Sequence, residues 1–231
     1  MLVSVAVVPQ TPLLVPEIAS GAARELEALR TAAVEAVREV ATDADRVVVV
    51  APGPKDVAYG AVEADFSAFG YGGLDTGSAS APPYSTTGSS TPRAGSALPL
   101  GAWLLDVAGV RLPRTFHETT GTAVDLEDQG RTALLVLADG TAKRDESAPG
   151  YVDVRALAFD AVIGTALAGA DVDALASLQP DLAEELWASG VPAFRALAAT
   201  VRTRGAEGLR ARLRYDGAPY GVAYWVATWR M

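Results

Sequence analysis

The sequence predicts a single α/β domain: a central, mostly parallel sheet flanked by helices, with an antiparallel hairpin at its carboxyl-terminal edge. Short apolar runs rich in valine and leucine, at Leu2–Val8, Arg46–Ala51 and Ala133–Leu137, read as strands buried on both faces. Helical periodicity lies between and after them, and a period of two appears only near the end of the chain. With 231 residues, 50% of them hydrophobic, residues 1–231 are expected to share one core.

The first run ends in "VAVVPQTPLLVPEI", where Gln10 and Thr11 stand between two prolines. A helix follows, because Ala22, Leu26, Leu29, Ala33, Val37 and Val40 recur at spacings of three and four, with Glu25, Arg30 and Glu39 elsewhere around it. The second strand, "RVVVVA", completes a strand–helix–strand unit, which implies a parallel pair joined by a right-handed crossover. From about 70 to 98 the chain is dominated by Gly, Ser, Thr, Ala and Pro. Loops of that length are usually lids, binding loops or disordered, and this one is expected near the mouth of a cleft or poorly ordered.

The third strand, "ALLVL", runs into the polar segment "ADGTAKRDESAPGY" and then a helix that Asp153 can cap, with Phe159, Ile163 and Leu167 facing inward. Further helices are expected around Asp171–Leu178, Pro180–Ala188 and Pro192–Arg202, the prolines suiting first-turn positions. Leu209, Ala211, Leu213 and Tyr215 then alternate with Arg210, Arg212 and Arg214, a half-exposed strand. A turn and a last strand from about Tyr220 to Thr228 would pair with it antiparallel.

Nineteen basic and 28 acidic residues give a formal charge of −9, which disfavours nucleic acid as a partner. Without cysteine there is no disulfide, thiolate nucleophile or cysteine-held metal. The first apolar run has no basic residue before it and is interrupted by Pro9 and Pro12, so neither a signal peptide nor a membrane span is expected, and the location expected is cytoplasmic. Lysine is confined to Lys55 and Lys143 among many arginines, and alanine is abundant, which suggests a high-GC genome.

Ligands of open α/β sheets bind beyond the carboxyl ends of the strands. The loops Pro9–Pro12, Pro52–Lys55 and Ala138–Arg144 should therefore converge. "VPQTPLLVPEI", "RVVVVAPGP", the block from "LLVLADGTAKRDESAPGY" through "LQPDLAEEL", and the terminal "YGVAYWVA" together resemble the catalytic-subunit-B superfamily of class III extradiol ring-cleavage dioxygenases, which also contains the Memo-type proteins. The resemblance covers most of the chain outside the Gly/Ser/Thr-rich middle. It implies a subunit-B-like fold and a ferrous ion held by two histidines and a carboxylate. Position by position, however, Gln10 occupies the place of the first family histidine, Gly53 and Pro54 that of the second, and Ala142 that of the acid/base histidine. Asp216 is at best a carboxylate near the place of the glutamate ligand.

The ferrous cofactor is accordingly expected to be lost and no metal site is predicted, since an amide is a poor substitute for imidazole. The pocket is expected from Gln10, Thr11, Gly53, Pro54, Asp139, Thr141 and Ala142. Catalytic residues are not identified; the candidates are His117, the only histidine, and Asp139. For Asp139 and Thr141 the polar wall of a pocket stands against a simple Asx-turn. Lys143, Arg144, Asp145 and Glu146 read as a solvated turn, and the arginines at 210, 212 and 214 as protection of a sheet edge. "GYGG" at Gly70–Gly73 follows no clear strand and lacks the context of a phosphate-binding loop.

The function expected is a binding module for a small molecule or a protein. Two alternatives stand beside it: a dioxygenase-like oxidoreductase with a rebuilt metal site, and an interaction protein using an oligomer surface. The partners expected are a small-molecule ligand in the cleft and a second copy of the chain, with no nucleic acid and no membrane.

Overall fold

The structure is a computed structural model describing residues 1–71, 92, 95–126, 130–204 and 208–231. Most of the Gly/Ser/Thr-rich segment, 72–91 with 93 and 94, lies outside the described residues.

Seven strands among the described residues, β1 (Leu2–Val8), β2 (Arg46–Pro52), β3 (Val57–Tyr59), β4 (Arg114–Thr119), β5 (Thr132–Leu137), β6 (Arg210–Gly217) and β7 (Tyr224–Arg230), form one sheet. Its order is β3-β4-β2-β5-β1-β7-β6. The four inner strands β4, β2, β5 and β1 are parallel, while β3, at one edge, and the β7–β6 hairpin, at the other, are antiparallel additions. Every residue of β5 is buried, as befits a strand flanked on both sides and covered on both faces.

Seven α-helices among the described residues accompany them: α1 (Pro16–Ala19), α2 (Glu27–Ala41), α3 (Leu98–Val107), α4 (Arg155–Gly169), α5 (Val172–Ala176), α6 (Pro180–Glu185) and α7 (Val191–Arg204). The side chains of α1, α2 and α3 join one apolar core, on the sheet face of Ala6, Val49 and Leu135. Those of α4 through α7 join a second, on the face of Val5, Val48 and Leu134. The single α/β domain is therefore a three-layer sandwich. Gly101 lets α3 close on β2, since a Cβ there would fall 2.5 Å from Val49 Cγ1.

Two sequence expectations are corrected. β1 and β2 are parallel but do not pair: β5 lies between them and bonds to both. The inner position goes to the strand with no partly exposed residue. The first helix is also shorter than its periodicity suggested. Ser20–Arg24 is a 3₁₀ turn, and Leu26 is non-helical (φ −94°, ψ 4°) before α2 begins. The inward stripe of Leu29, Ala33, Val37 and Val40 is as expected, but Arg30 is buried with it. Arg30 Nε donates to Leu14 O at 2.7 Å, Nη1 pairs with Glu27 at 2.8 Å, and both Nη atoms reach Ala23 O. This guanidinium pins the loop leaving β1 onto α2.

The terminal hairpin forms as expected, with a bulge between Leu213 and Tyr215. Leu209, Ala211 and Leu213 pack on one core, and Tyr215, past the bulge, on the other. The bulge turns Arg214 toward α2, where it pairs with Glu39 and lies 3.8 Å from Glu35, so Arg210 and Arg212 remain exposed but Arg214 does not. Asp153 Oδ1 does accept the Arg155 amide at the start of α4, at 3.0 Å, although the cap position itself is Val154.

Ala170 ends α4 in the left-handed region (φ 52°, ψ 38°), where a Cβ costs about 1–2 kcal/mol and glycine is the usual residue. Replacing Ala170 by Gly relieves that cost while adding freedom to the unfolded chain. The expected net is a gain of about 0.5–1 kcal/mol, read as a higher urea midpoint at unchanged slope.

Candidate functional site

The cleft follows from where the chain goes after each strand. β1 hands the chain to α1 and α2 on one face of the sheet, whereas β5, beside it, hands it to α4–α7 on the other. Neighbouring strands whose connections part in opposite directions leave a crevice at their carboxyl ends. A cavity of about 540 Å³ occupies it.

Its polar groups are Gln10 and Thr11 after β1, Asp139 after β5, Ser96 before α3 and Ser189 before α7; Phe66, Phe69, Leu100 and three prolines supply apolar wall. No basic side chain stands among the described lining residues. Gly53 also lines the cleft and is packed so closely on Glu118 that a Cβ would lie 2.5 Å from the Glu118 Cβ. That carboxylate is buried and accepts the Tyr59 hydroxyl at 3.1 Å.

Asp139 is the chemical centre of the crevice. Its residue is 8% exposed, and among the described residues its carboxyl accepts a single hydrogen bond, from the Gln10 amide to Oδ1 at 2.8 Å. This is not the local Asx-turn that Asp-Gly suggests: the carboxyl bridges to the loop of the adjacent strand. Burial pushes the group up to about 7, against which the Gln10 amide works only partly. The Asp139 backbone is clamped as well, because its carbonyl accepts the Gly190 amide at 3.2 Å and a Cβ at position 190 would overlap it. Beside it, the Tyr224 hydroxyl is raised from its ordinary range by burial first and then by the Asp139 charge, against which the Thr11 side chain works only partly.

Gln10 spans the cleft. Its Nε2 lies 2.6 Å from Ser189 Oγ, while its Oε1 is sealed from solvent and accepts no hydrogen bond, an arrangement costing about 1–3 kcal/mol.

Of the residues singled out in the sequence, Gln10, Thr11, Gly53 and Asp139 line this one cleft. Pro54 is exposed and is not among the lining residues. Thr141 is fully buried, its amide and hydroxyl both donating to Asp160 at 2.9 and 2.7 Å, and so holds the loop rather than facing a ligand. Ala142 lines a second cavity behind Ser189. His117 sits within β4, in register with Val50 and Ala58, and lines neither cavity. Asp216, in β6, is exposed. In the expected solvated turn, Asp145 and Glu146 are exposed, but Lys143 and Arg144 are partly buried. Sequence reasoning did not find Tyr224, Ser189 or Gly190. The close approach of α7 to β5 brings Ser189 and Gly190 to Asp139, and the pairing of β7 beside β1 brings Tyr224; no local pattern announces either.

The donor set does not fit a ferrous ion. Among the described residues no group of three His, Cys, Asp or Glu side chains could hold a metal, and the cleft offers one carboxylate and one amide.

The second cavity, about 570 Å³, shares Ser189 and Pro192 with the first. At its rim Trp187 has φ 56°. It closes α6 as a Schellman turn, with Ala188 N bonded to Ala183 O and Trp187 N to Glu184 O, in the place where glycine is favoured.

No protein-family model matches the chain, and no curated protein does. Among solved structures, it is similar to the uncharacterized protein JW3007 from Escherichia coli K12, with a TM-score of 0.53 at 9% identity, over 99% of this chain and 100% of that one. The likeness shows the α/β fold. No described helix is long and apolar enough to cross a membrane.

Asp139 makes stability depend on pH in a definite direction. With its folded value near 7 and an ordinary value of 3.8, folding is penalised as pH rises through that window, the penalty being complete above about 7 and absent below about 4. Asp139→Asn keeps the acceptor for the Gln10 amide but cannot ionise. It should therefore exceed the parent in stability at pH 8, by at most about 4 kcal/mol, and lose that advantage by pH 4, as followed by urea unfolding across pH.

Proposed function

We propose that the cleft beyond β1, β2 and β5 binds a small uncharged or cationic molecule, with a ring between the apolar walls and a hydroxyl or amine donating to Asp139. The observation that carries this reading is the buried Asp139 carboxyl, with one hydrogen bond, on a cleft whose described lining contains no basic group. A buried acceptor with spare capacity gains most from a donor, and an anion would meet no cation there.

The chain is read as a subunit-B-like protein that has kept the crevice of its ring-cleaving relatives and lost their iron. Support comes from the order of the quoted motifs and from the α/β layout that carries them. Gln10, Gly53, Pro54 and Ala142 stand where the metal and acid/base histidines of that family would be. A second reading, acid–base catalysis on the bound molecule, is favoured by one observation: Asp139 is held near 7, where it can both give and take a proton at neutral pH.

The test uses tag-free full-length protein and catechol, which is uncharged at pH 8, with binding followed by calorimetry. The expected results are metal content far below stoichiometric, saturable binding of catechol, and a loss of about tenfold or more in affinity in Asp139→Asn at pH 8. Near-stoichiometric iron, or binding indifferent to the Asp139 substitution, would overturn the reading.

A further inference from the structure

The second cavity lies across the Ser189–Pro192 turn from the first and has a different chemistry. Pro180 and Ala183 of α6 and Val191 and Pro192 of α7 make an apolar floor, with Trp187 at the rim. Two charged side chains line it, Glu184 and Arg195.

Arg195 differs from most structured arginines of this acidic chain. Arg30, Arg114, Arg155, Arg202, Arg214 and Arg230 each close an ion pair with Asp or Glu. Arg195, partly buried, makes one hydrogen bond, from Nη1 to Leu178 O at 2.8 Å, and no ion pair among the described residues. The remaining N–H groups of its fork have the geometry that carboxylates match in pairs. Lys143 adds positive charge nearby: its ammonium stands 5.1 Å from the centre of the Trp187 ring and closes no ion pair among the described residues, although Asp153 feels its charge. Trp187 itself is 52% exposed, an indole held half in water by a left-handed backbone that seldom accepts so large a residue. A cation without a carboxylate, set in an apolar wall beside an exposed indole, is the complement of an apolar acid.

We propose that this cavity is a binding site for a small apolar carboxylate, with its hydrocarbon part along Pro180, Ala183 and Val191 beneath Trp187 and its carboxylate on Arg195. The site is independent of the donor-binding cleft and does not require Asp139. Glu184 opposes the ligand's charge and sets the affinity below what Arg195 alone would give.

Trp103, Trp225 and Trp229 are buried, so a change in tryptophan emission on ligand binding reports Trp187. Octanoate is titrated into full-length protein and followed by emission and by calorimetry, with octanol as the uncharged control. The expected results are saturable octanoate binding, octanol at least tenfold weaker, a tenfold or greater loss in Arg195→Gln, partial recovery in Arg195→Lys, and tighter binding in Glu184→Gln. Trp187→Phe should remove the emission signal while calorimetric binding persists. Equal binding of octanoate and octanol, octanoate affinity unmoved by both the Arg195 and Glu184 substitutions, or no saturable heat with octanoate would each overturn the proposal. The Glu184 variant keeps the test decisive should Arg195→Gln fail to fold.

Discussion

The complete burial of β5 constrains the rest of the molecule. A strand paired on both sides and covered on both faces can leave the sheet only at its end, and the first residues past that end meet whatever the neighbouring strands have placed there. Because β1 turns toward one helical layer and β5 toward the other, those residues enter a gap. Asp139 is the first polar side chain of the emerging chain, and the Gln10 amide and the Gly190 approach fix it from both sides. Crevice, buried acid and clamped loop are thus consequences of a single placement in the sheet.

Much of the scaffold could be read from local pattern. Period and length identify β1, β2, β5, the helical stripe of Leu29 to Val40, and the alternating terminal hairpin, because each is decided by which of its own faces is apolar. Strand order was not legible in the same way. That β5 inserts between β1 and β2 depends on competition among three similar apolar runs for the inner positions, and no single run carries that information. The buried Arg30 was hidden for a related reason: its partners are carbonyls of Leu14 and Ala23, distant groups with no sequence signature.

The candidate site shows the same division. Loops after strands announce themselves through proline, glycine and polar residues, so Gln10, Thr11, Gly53 and Asp139 could be named in advance. Neighbours delivered by long-range packing, Ser189 by α7 and Tyr224 by β7, could not. Thr141 and Asp139, two residues apart in one motif, part company in the structure. One is consumed by Asp160 inside the protein and the other is left with spare capacity at the cleft. Which polar residue of a loop serves the fold and which serves a ligand is decided by what packs behind it.

The bulge at Arg214 has a consequence for how the sheet can grow. An incoming chain adding to an outer strand needs an unbroken row of amides and carbonyls at regular spacing. On β6 that row is interrupted where Leu213 gives way to Tyr215, and at the opposite edge β3 offers only three residues. Both described ends of the sheet are therefore poor templates for another strand. Among the described residues, the strongly hydrophobic sheet offers no ready route to polymerise through its edges.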